Sequence, residues 1–433
     1  MAPPLDLTLL PRSARVVADG SLSVGGVDLV GLAVEFGTPL YVYDEDELRV
    51  RCREYREGFG DGVAYASKAF LCTAMARLVA EEGLDLDVAT GGELYVALHA
   101  GFPAERIVLH GNNKSNEELQ AAHAAGVGRI VVDSFDELDR LDALPPSESG
   151  VLIRVTPGVE AHTHEFIETG TEDSKFGFGL LNGDALRAVE RVVRGGSLRF
   201  VGLHCHIGSQ VFRLDSFAAA ADRMAGLVLA VEAETGATVG ELSLGGGLGV
   251  RYVATDEGPS IPQYAAALHE SFAKAMAAHG VRSQPRLTVE PGRSIAAPSG
   301  LTLYTVGTIK EIPGVRTYVA VDGGMSDNLR PVTYGARYEA FLPGRVGAAR
   351  EKVVTVAGKH CEQGDLLVRD AHLPADVTVG DILATPVTGA YAHSMASNYN
   401  VVPRPAVVFV RDGQARVVVR RETFDDLVRL DAE

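Results

Sequence analysis

The sequence predicts an α/β protein: a (β/α)8 TIM barrel followed by an antiparallel β domain that also includes the N-terminal segment. Three observations predict this fold class. From about residue 60 to residue 295, eight short β-rich runs alternate with helical stretches. Beyond residue 298, strand-like runs follow one another with few helical intervals, and the first 35 residues have the texture of short β ribbons. Strands that alternate with helices predict a parallel sheet, and eight such units favour a closed barrel over an open doubly wound sheet.

The predicted barrel strands are short apolar runs that each end in a polar or glycine-bearing turn. In chain order they are VAYASKA (63–69), LDLDVA (84–89), RIVLHG (106–111), RIVVDS (129–134), VLIRVTP (151–157), FVGLHCHIG (200–208), ELSLGGG (241–247) and RLTVEPG (286–292). The segments between them, such as LCTAMARLVAEEG and SNEELQAAHAAG, are rich in alanine and leucine and predict helices.

The C-terminal part of the chain predicts a second domain made of strands. Its runs are LTLYTVGTI, RTYVAVDGG, KVVTVAG, GDILATP, AVVFVRDG and ARVVVR, separated by turns. We therefore predict three segments: an N-terminal β segment (1–36) that joins the C-terminal domain, the barrel (37–297), and the β domain (298–433), which has a normal domain size.

Composition excludes several classes of protein. The 433 residues carry 57 acidic and 40 basic side chains, a formal net charge of −17, which argues against a nucleic-acid partner. The N-terminus lacks the pattern of a signal peptide, and no apolar run has membrane-spanning length, so no membrane partner is expected. The four cysteines are widely spaced, which argues against disulfides and zinc modules and fits a reducing cytoplasm.

A lysine ends the first predicted strand. Because strand side chains alternate between faces, Ala64, Ala66 and Lys68 share one face, which we expect to point into the barrel. Lys68 would then lie at the C-terminal mouth, where barrel enzymes carry their active sites. A strand-end lysine that snorkels to water is the alternative to a Schiff-base nucleophile.

Three further strand ends carry polar side chains on the expected inner face. Asp87 ends the second strand, His206 the sixth and Glu290 the eighth. Charged groups inside a barrel are costly unless they are hydrogen-bonded, so this gathering predicts a polar site at one rim.

Two motifs after the last strands predict an anion site. GGGLG (245–249) exposes backbone N–H groups, and EPGR (290–293) adds the charge of Arg293, at the place where this fold usually binds phosphate. A lysine, a phosphate cradle, a carboxylate for a ring nitrogen and an imidazole for a ring face together match the needs of pyridoxal 5′-phosphate.

These motifs resemble the alanine racemase-like, or fold-type III, pyridoxal-phosphate-dependent decarboxylases over essentially the whole chain. The resemblance implies that YASKAF carries the cofactor lysine, Lys68, and HCHIGSQ the ring-stacking His206 and the phosphate-contacting Ser209. The remaining cofactor-binding residues implied by the family pattern are Gly246, Gly247, Glu290, Pro291, Gly292, Arg293 and Tyr391, and the strand-end pattern adds Asp87. No metal ligand is expected.

Other stretches resemble the diaminopimelate branch of that family: HGNNKS (110–115), HEFIETGTEDSKFGFG (164–179) and DGGMSDNLRPVTYGARY (322–338). The resemblance implies a small-molecule amino-acid substrate that is long and charged at both ends. Its implied binding residues are Arg293, Arg330, Tyr334, Glu362 and Tyr391. It further implies a homodimer with shared active sites, in which Cys361 of one subunit is the catalytic proton donor for the other. The chain departs from the family pattern at Gln363 and Ala392, neither of which has a proposed chemical role.

Several alternatives stay open from the residues alone. A sister decarboxylase could use ornithine, lysine, arginine or a carboxylated polyamine, a pseudoenzyme could bind the cofactor without turnover, and an aldolase could use the lysine without pyridoxal. HTHE (162–165) has metal-like spacing but equally fits a solvated lid. Lys114 could bind an anion or begin a helix, and it is left unassigned.

Overall fold

A computed structural model describes residues 5–159 and 174–432 of the chain. The chain forms two compact units. The barrel unit comprises Arg51–Gly249 and Gly258–Ser294, and the β unit comprises Met1–Val50, Val250–Glu257 and Ile295–Glu433.

Among the described residues, the sheet of the barrel unit has nine parallel strands: eight follow one another in sequential order, as predicted, and the short strand Phe178–Gly179 pairs with the fifth of these. The eight sequential strands are Ala64–Ala66, Asp85–Val88, Ile107–Leu109, Arg129–Val132, Gly150–Thr156, Arg199–Cys205, Glu241–Ser243 and Arg286–Thr288. The first and last strands meet through a parallel bridge between Val63 and Val289. The N–H of Ala64 donates to the carbonyl of Val289 at 3.0 Å, and the N–H of Ala66 donates to that of Pro291 at 3.0 Å. These bonds join the two edges, so the sheet is a barrel and not an open doubly wound sheet.

Small and β-branched side chains fill the middle of the barrel. One buried cluster consists of Ala64, Val108, Val131 and Leu152, with Val201 packed against it. Each residue comes from a different strand, as in the side-chain layers typical of this fold. His110 and Arg154 lie two residues after Val108 and Leu152, nearer the C-terminal mouth, and a bulge in the sixth strand places His204 opposite Arg154, so polar side chains begin at this level.

The helices of the described chain are Leu29–Phe36, Glu45–Phe59, Thr73–Glu81, Gly91–His99, Asn116–Ala125, Phe135–Asp142, Asp184–Gly195, Leu214–Thr235, Ile261–His279, Arg293–Ala296, Arg330–Tyr334 and Phe424–Val428. Several of them begin at residues whose side chains cap the helix. Ser115 and Glu118 form a capping box at one helix, and Ser260 and Gln263 form a second. Within residues 5–159 and 174–432, no helix combines the length and apolarity needed to cross a membrane.

The β unit contains a mixed sheet, whereas the sequence predicted an antiparallel one. Its strands are Leu40–Asp44, Gly300–Ile312, Arg316–Val321, Lys352–Ala357, Leu366–Leu373, Ile382–Pro386, Ala406–Arg411 and Gln414–Val419. Two pairs run parallel: Arg316–Val321 with Lys352–Ala357, and Leu40–Asp44 with Ala406–Arg411. Neither pair is joined by a tight turn, so no hairpin forces the antiparallel direction.

The N-terminal segment belongs to the β unit but does not extend its large sheet. Strands Arg15–Val16, Leu22–Val24 and Val27–Asp28 form a separate antiparallel sheet, followed by the helix Leu29–Phe36. Their apolar residues share one core with the large sheet, which includes Leu22, Leu29, Leu303 and Val408. The strand that joins the large sheet is Leu40–Asp44, which lies within the range predicted for the barrel, 37–297.

Candidate active site

A buried carboxylate, Glu290, lies just beyond the eighth barrel strand. Its side chain is 10% exposed. One carboxylate oxygen lies 2.9 Å from Nε2 of His204, and the other accepts a hydrogen bond from Oγ of Ser243 at 3.0 Å. The sixth and seventh strands therefore each supply a polar partner for the acid that follows the eighth.

Imidazoles keep that acid ionised. Nε2 of the buried His110 lies 3.4 Å from Oε1 of Glu290 and 3.7 Å from Oδ1 of Asp87. Burial alone would raise the pKa of Glu290, but the imidazoles of His204 and His110 outweigh it and hold that pKa well below its usual range. Burial lowers the pKa of His110, but Asp87 and Glu290 reverse this and raise it. Glu290 is thus a preformed hydrogen-bond acceptor at neutral pH.

Lys68 lies on a one-turn 3₁₀ helix, Ser67–Ala69, and not on the strand itself. The strand ends at Ala66, whose N–H bonds to the carbonyl of Pro291, and a proline has no N–H with which to continue the ladder. The Lys68 residue is exposed. A Cβ on Gly292 would lie only 2.9 Å from the carbonyl oxygen of Ala66, so the turn that carries Lys68 packs directly against the segment that follows Glu290.

His206 follows the sixth strand and is fixed by the glycine loop. The N–H of Gly246 donates to Nδ1 of His206 at 3.2 Å, so this nitrogen is unprotonated. Burial lowers the pKa of His206 well below its ordinary value, and the positive charges of Lys68 and Arg154 lower it further. A neutral imidazole close to Lys68 is the result.

The glycine loop has room only for glycine. Gly245 and Gly247 have φ values of +69° and +116°. A Cβ on Gly246 would lie 2.2 Å from the carbonyl oxygen of Glu290, and one on Gly247 would lie 2.4 Å from that of Gly208. The backbone is therefore bare along this stretch, which allows an anion to approach it closely.

A guanidinium and a hydroxyl lie together in the same unit. Nη2 of the buried Arg293 donates to Oγ of Ser209 at 2.9 Å, and Nε lies 3.3 Å from the same oxygen. An arginine, a serine and a glycine-rich backbone are the usual donors to a phosphate. Together with an ionised buried carboxylate and a lysine amine, they fit the phosphate, ring nitrogen and aldehyde of pyridoxal 5′-phosphate.

The β unit holds a buried cation of its own. Arg330 is 5% exposed, its guanidinium lies 4.5 Å from the ring centroid of Tyr252, and it donates to the hydroxyl of Tyr338. Burial would lower the pKa of Arg330, but Tyr252 and Tyr338 outweigh it and raise that pKa. No carboxylate of the described residues pairs with this guanidinium. Tyr334 ends the short helix that Arg330 begins, so the two side chains share a helix face.

Three further predicted site residues lie in loops of the β unit. Cys361 and Glu362 are both exposed and belong to one tight turn, in which the N–H of Glu362 donates to the carbonyl of His360 at 2.8 Å. Tyr391 is half-buried and has a φ of +63°, a left-handed conformation that is uncommon outside glycine.

Residues 45–297 match the family described as "Pyridoxal-dependent decarboxylase, pyridoxal binding domain". The chain is 52% identical to a diaminopimelate decarboxylase of Mycobacterium tuberculosis over 435 residues, which cover 97% of each chain. The chain belongs to the diaminopimelate decarboxylase family of pyridoxal-dependent decarboxylases. A second relative of that name, from Bacillus subtilis, is 50% identical over 431 residues and 98% of each chain. The crystal structure of the diaminopimelate decarboxylase of M. jannaschii in co-complex with L-lysine has a TM-score of 0.89 and 34% identity over 98% of each chain.

Lys114, which the sequence left unassigned, is neither an anion ligand nor a helix start in this member of the diaminopimelate decarboxylase family. Its Nζ donates to the carbonyls of Gly111 and Val131 and to Oε1 of Glu137, each at 2.7 Å. All three ammonium donors are satisfied, and both side chains of the ion pair are 1% exposed. The ion pair of Lys114 with Glu137 therefore fixes the backbone next to His110, whose imidazole lies beside Glu290.

The site residues predicted from the sequence leave out four residues that the structure brings to this rim: His110, His204, Ser243 and Arg154. The first three surround Glu290, and Arg154 lies 3.7 Å from the buried Asp133. The signal was present, because His110 and Arg154 lie two residues after Val108 and Leu152 of the apolar layer. A strict two-residue alternation along every strand would have found both.

Two sequence interpretations lie outside the described residues. The HTHE motif (162–165) and most of the stretch at 164–179 fall between residues 159 and 174. Both stay predictions.

Removing the acid of the buried pair should destabilise the protein strongly. We expect Glu137→Ala to lower the free energy of unfolding by about 3–5 kcal/mol, because Lys114 would remain as an uncompensated buried charge. The urea midpoint followed by circular dichroism measures this. Asp139→Ala, an exposed acid on the same helix, is the control and should change stability by less than about 1 kcal/mol. The double substitution Lys114→Met with Glu137→Leu should recover most of the loss. A Glu137→Ala midpoint equal to that of the control would show that the pair contributes nothing.

Proposed function

We propose that this chain decarboxylates meso-2,6-diaminopimelate to L-lysine and carbon dioxide with pyridoxal 5′-phosphate as cofactor, which is the last step of lysine biosynthesis. The observation that carries the proposal is the rim of the barrel: Glu290 with its partners His204 and Ser243, beside the turn of Lys68 and the pair of Arg293 with Ser209. Membership of the diaminopimelate decarboxylase family supports the choice of substrate.

Each rim residue has a proposed part in holding the cofactor. Arg293, Ser209 and the backbone of Gly246 and Gly247 would hold the phosphate, with Pro291 and Gly292 shaping the segment beside it. Lys68 would bind the aldehyde carbon. We propose further contacts with the cofactor for Asp87, His206 and Tyr391.

Bound pyridoxal phosphate supplies an electron sink for the bond that breaks between carbon and carboxylate. Glu290 favours that sink because a buried carboxylate keeps a proton on the ring nitrogen, and the low pKa of this acid leaves the proton on the ring. The neutral His206 can lie against a ring face without adding a positive charge that would compete with it. Lys68, exposed on its turn, can carry protons to and from the reacting carbon.

The β unit carries a group that suits the second carboxylate of the substrate. Arg330 is a buried guanidinium without a carboxylate partner among the described residues, and burying a charge in this way is unfavourable unless an anion joins it. Lysine and ornithine have no carboxylate at the end remote from the reaction, whereas diaminopimelate has one. We infer that Arg330 binds that carboxylate, with Tyr334 beside it and Arg293 and Tyr391 as further substrate contacts.

We also propose that the active form is a homodimer in which Cys361 and Glu362 serve the site of the other subunit. Cys361 would protonate the carbon that loses carbon dioxide, and Glu362 would bind the remote ammonium group. The exposure of both side chains on one tight turn supports this, since they are available to a second copy. A cytoplasmic location likewise stays a prediction.

The sister decarboxylases are the main rival, and product analysis separates them from this proposal. We expect the purified protein with cofactor to release carbon dioxide from meso-diaminopimelate and to form L-lysine, with ornithine, lysine, arginine and a carboxylated polyamine as comparison substrates. Turnover of one of these without turnover of diaminopimelate would overturn the choice of substrate. A coloured protein whose absorbance no amino acid shifts would instead favour a cofactor-binding pseudoenzyme.

The cofactor linkage should depend on Lys68. After borohydride reduction, we expect peptide mass spectrometry to find the reduced cofactor on Lys68 in the unchanged protein and none in Lys68→Ala, since alanine lacks the amine that binds the aldehyde. Lys274→Ala, at an exposed helix position, is the control and should retain the label. A reduced cofactor found on another lysine of the unchanged protein would show the site assignment to be wrong.

Arg330 should determine affinity for the second carboxylate. We expect Arg330→Met to raise KM for diaminopimelate about 10- to 100-fold, because a charge-assisted hydrogen bond contributes roughly 1.5–3 kcal/mol. Arg330→Lys should lose less, as it keeps the charge. Arg337→Met removes an exposed arginine of the same unit and should leave KM unchanged. An unchanged KM in Arg330→Met would refute this role.

A further inference from the structure

The exposed turn of Cys361 and Glu362 follows a histidine that is fixed at both ring nitrogens. Nδ1 of His360 lies 3.0 Å from Oδ1 of Asn400, and Nε2 lies 2.8 Å from Oγ of Ser326. The residue is 8% exposed. Because the amide oxygen can only accept, Nδ1 carries a proton and donates it to Asn400. Both ring nitrogens have a hydrogen-bond partner, which makes the imidazole a rigid attachment point.

The backbone around His360 is fixed as well. Its N–H donates to one carboxylate oxygen of Asp365 at 2.9 Å, and the other oxygen of Asp365 accepts from the N–H of Met325 at 2.7 Å. Its carbonyl accepts from the N–H of Glu362 at 2.8 Å, which closes a three-residue turn around Cys361. Both sides of the cysteine are thus attached to the loop that contains Ser326.

The second attachment, Asn400, lies in a strained segment. Asn400 and Val401 have φ values of +52° and +56°, and the left-handed region is a genuine outlier for a β-branched residue. Such a conformation costs on the order of 1–3 kcal/mol and persists where the surroundings impose it. The N–H of Ser397 donates to the carbonyl of Ser326 at 2.9 Å, so this segment and the Ser326 loop meet at His360.

We propose that His360, held by Ser326 and Asn400, is the positioning residue that fixes the thiol of Cys361 for the reaction. This inference rests on the proposed function, because it assigns His360 an effect on turnover that passes through Cys361. His360 itself touches neither substrate nor cofactor in this scheme. Its contribution is that the turn is already formed before a substrate binds, so that no ordering of the thiol is needed during the reaction.

The cysteines of this chain offer a readout that is independent of turnover. Three of them, Cys52, Cys72 and Cys205, are buried, and Cys361 is exposed. An aromatic disulfide reagent such as DTNB added to the folded holoenzyme should therefore label Cys361 first. The rate of labelling, measured against pH, reports the surroundings of this one thiol.

The test compares His360→Gln and Ser326→Ala with the unchanged holoenzyme. We expect both variants to keep the cofactor absorbance and KM, to lower kcat about tenfold or more, and to change the rate and pH profile of labelling at Cys361. The matched control is His372→Gln in strand Leu366–Leu373 of the same unit, where Nδ1 makes no hydrogen bond, and it should change none of these.

A double-mutant cycle separates positioning from a general loss of structure. In a Cys361→Ala background, His360→Gln should lower kcat by less than about twofold, because its effect passes through the missing thiol. Multiplicative losses, or unchanged kcat and labelling in both single variants, would overturn the proposal. If His360→Gln fails to fold, Ser326→Ala, which keeps the imidazole but removes one of its two hydrogen-bond partners, decides alone. Absence of turnover in the unchanged protein would overturn the proposed function instead, and the labelling profile would still decide whether His360 positions Cys361.

Discussion

The arrangement of the barrel rim depends on one constraint: the negative charge of Glu290 is buried. An isolated ionised carboxylate in a protein interior is so unfavourable that it normally takes up a proton. Here the charge persists because His204 and Ser243 bond to its two oxygens and His110 lies 3.4 Å away. The ends of the third, sixth and seventh strands therefore carry polar side chains, and the apolar packing of the barrel stops one layer below them.

The negative charge of Glu290 also affects the ionisation of the groups around it. Asp87 and Glu290 together raise the pKa of His110, so that imidazole can bear part of the balancing charge. The segment that follows His110 is in turn held by the ammonium of Lys114 and its ion pair with Glu137. Lys68 and Arg154 act in the opposite direction on His206, whose pKa they lower. One rim therefore holds an ionised acid and a neutral imidazole at the same pH.

The alternation of side chains along a strand was enough to predict the barrel and to place Asp87 and Glu290 at its mouth. The same alternation also places His110 and Arg154 on the inner face. Which side chains they contact depends on the register between strands, and no local sequence pattern specifies that register. The 3₁₀ turn of Lys68 begins where Ala66 pairs with Pro291, which follows the opposite edge strand more than 200 positions along the chain. The mixed sheet escaped prediction for a similar reason, because Leu40–Asp44 pairs in parallel with Ala406–Arg411 without a connecting turn.

Glu290 and Arg330 are both buried charges, but their surroundings compensate them differently. The acid is surrounded by partners within its own unit and needs no ligand in order to stay charged. Arg330 is also buried, but its neighbours are Tyr252 and Tyr338. The ring of Tyr252 and the hydroxyl of Tyr338 attract the guanidinium without supplying a negative charge. The charge of Glu290 is therefore compensated before any ligand binds, whereas the guanidinium of Arg330 has no carboxylate partner among the described residues. Under the proposed function, this difference is what would let Arg330 discriminate between a substrate with one carboxylate and a substrate with two.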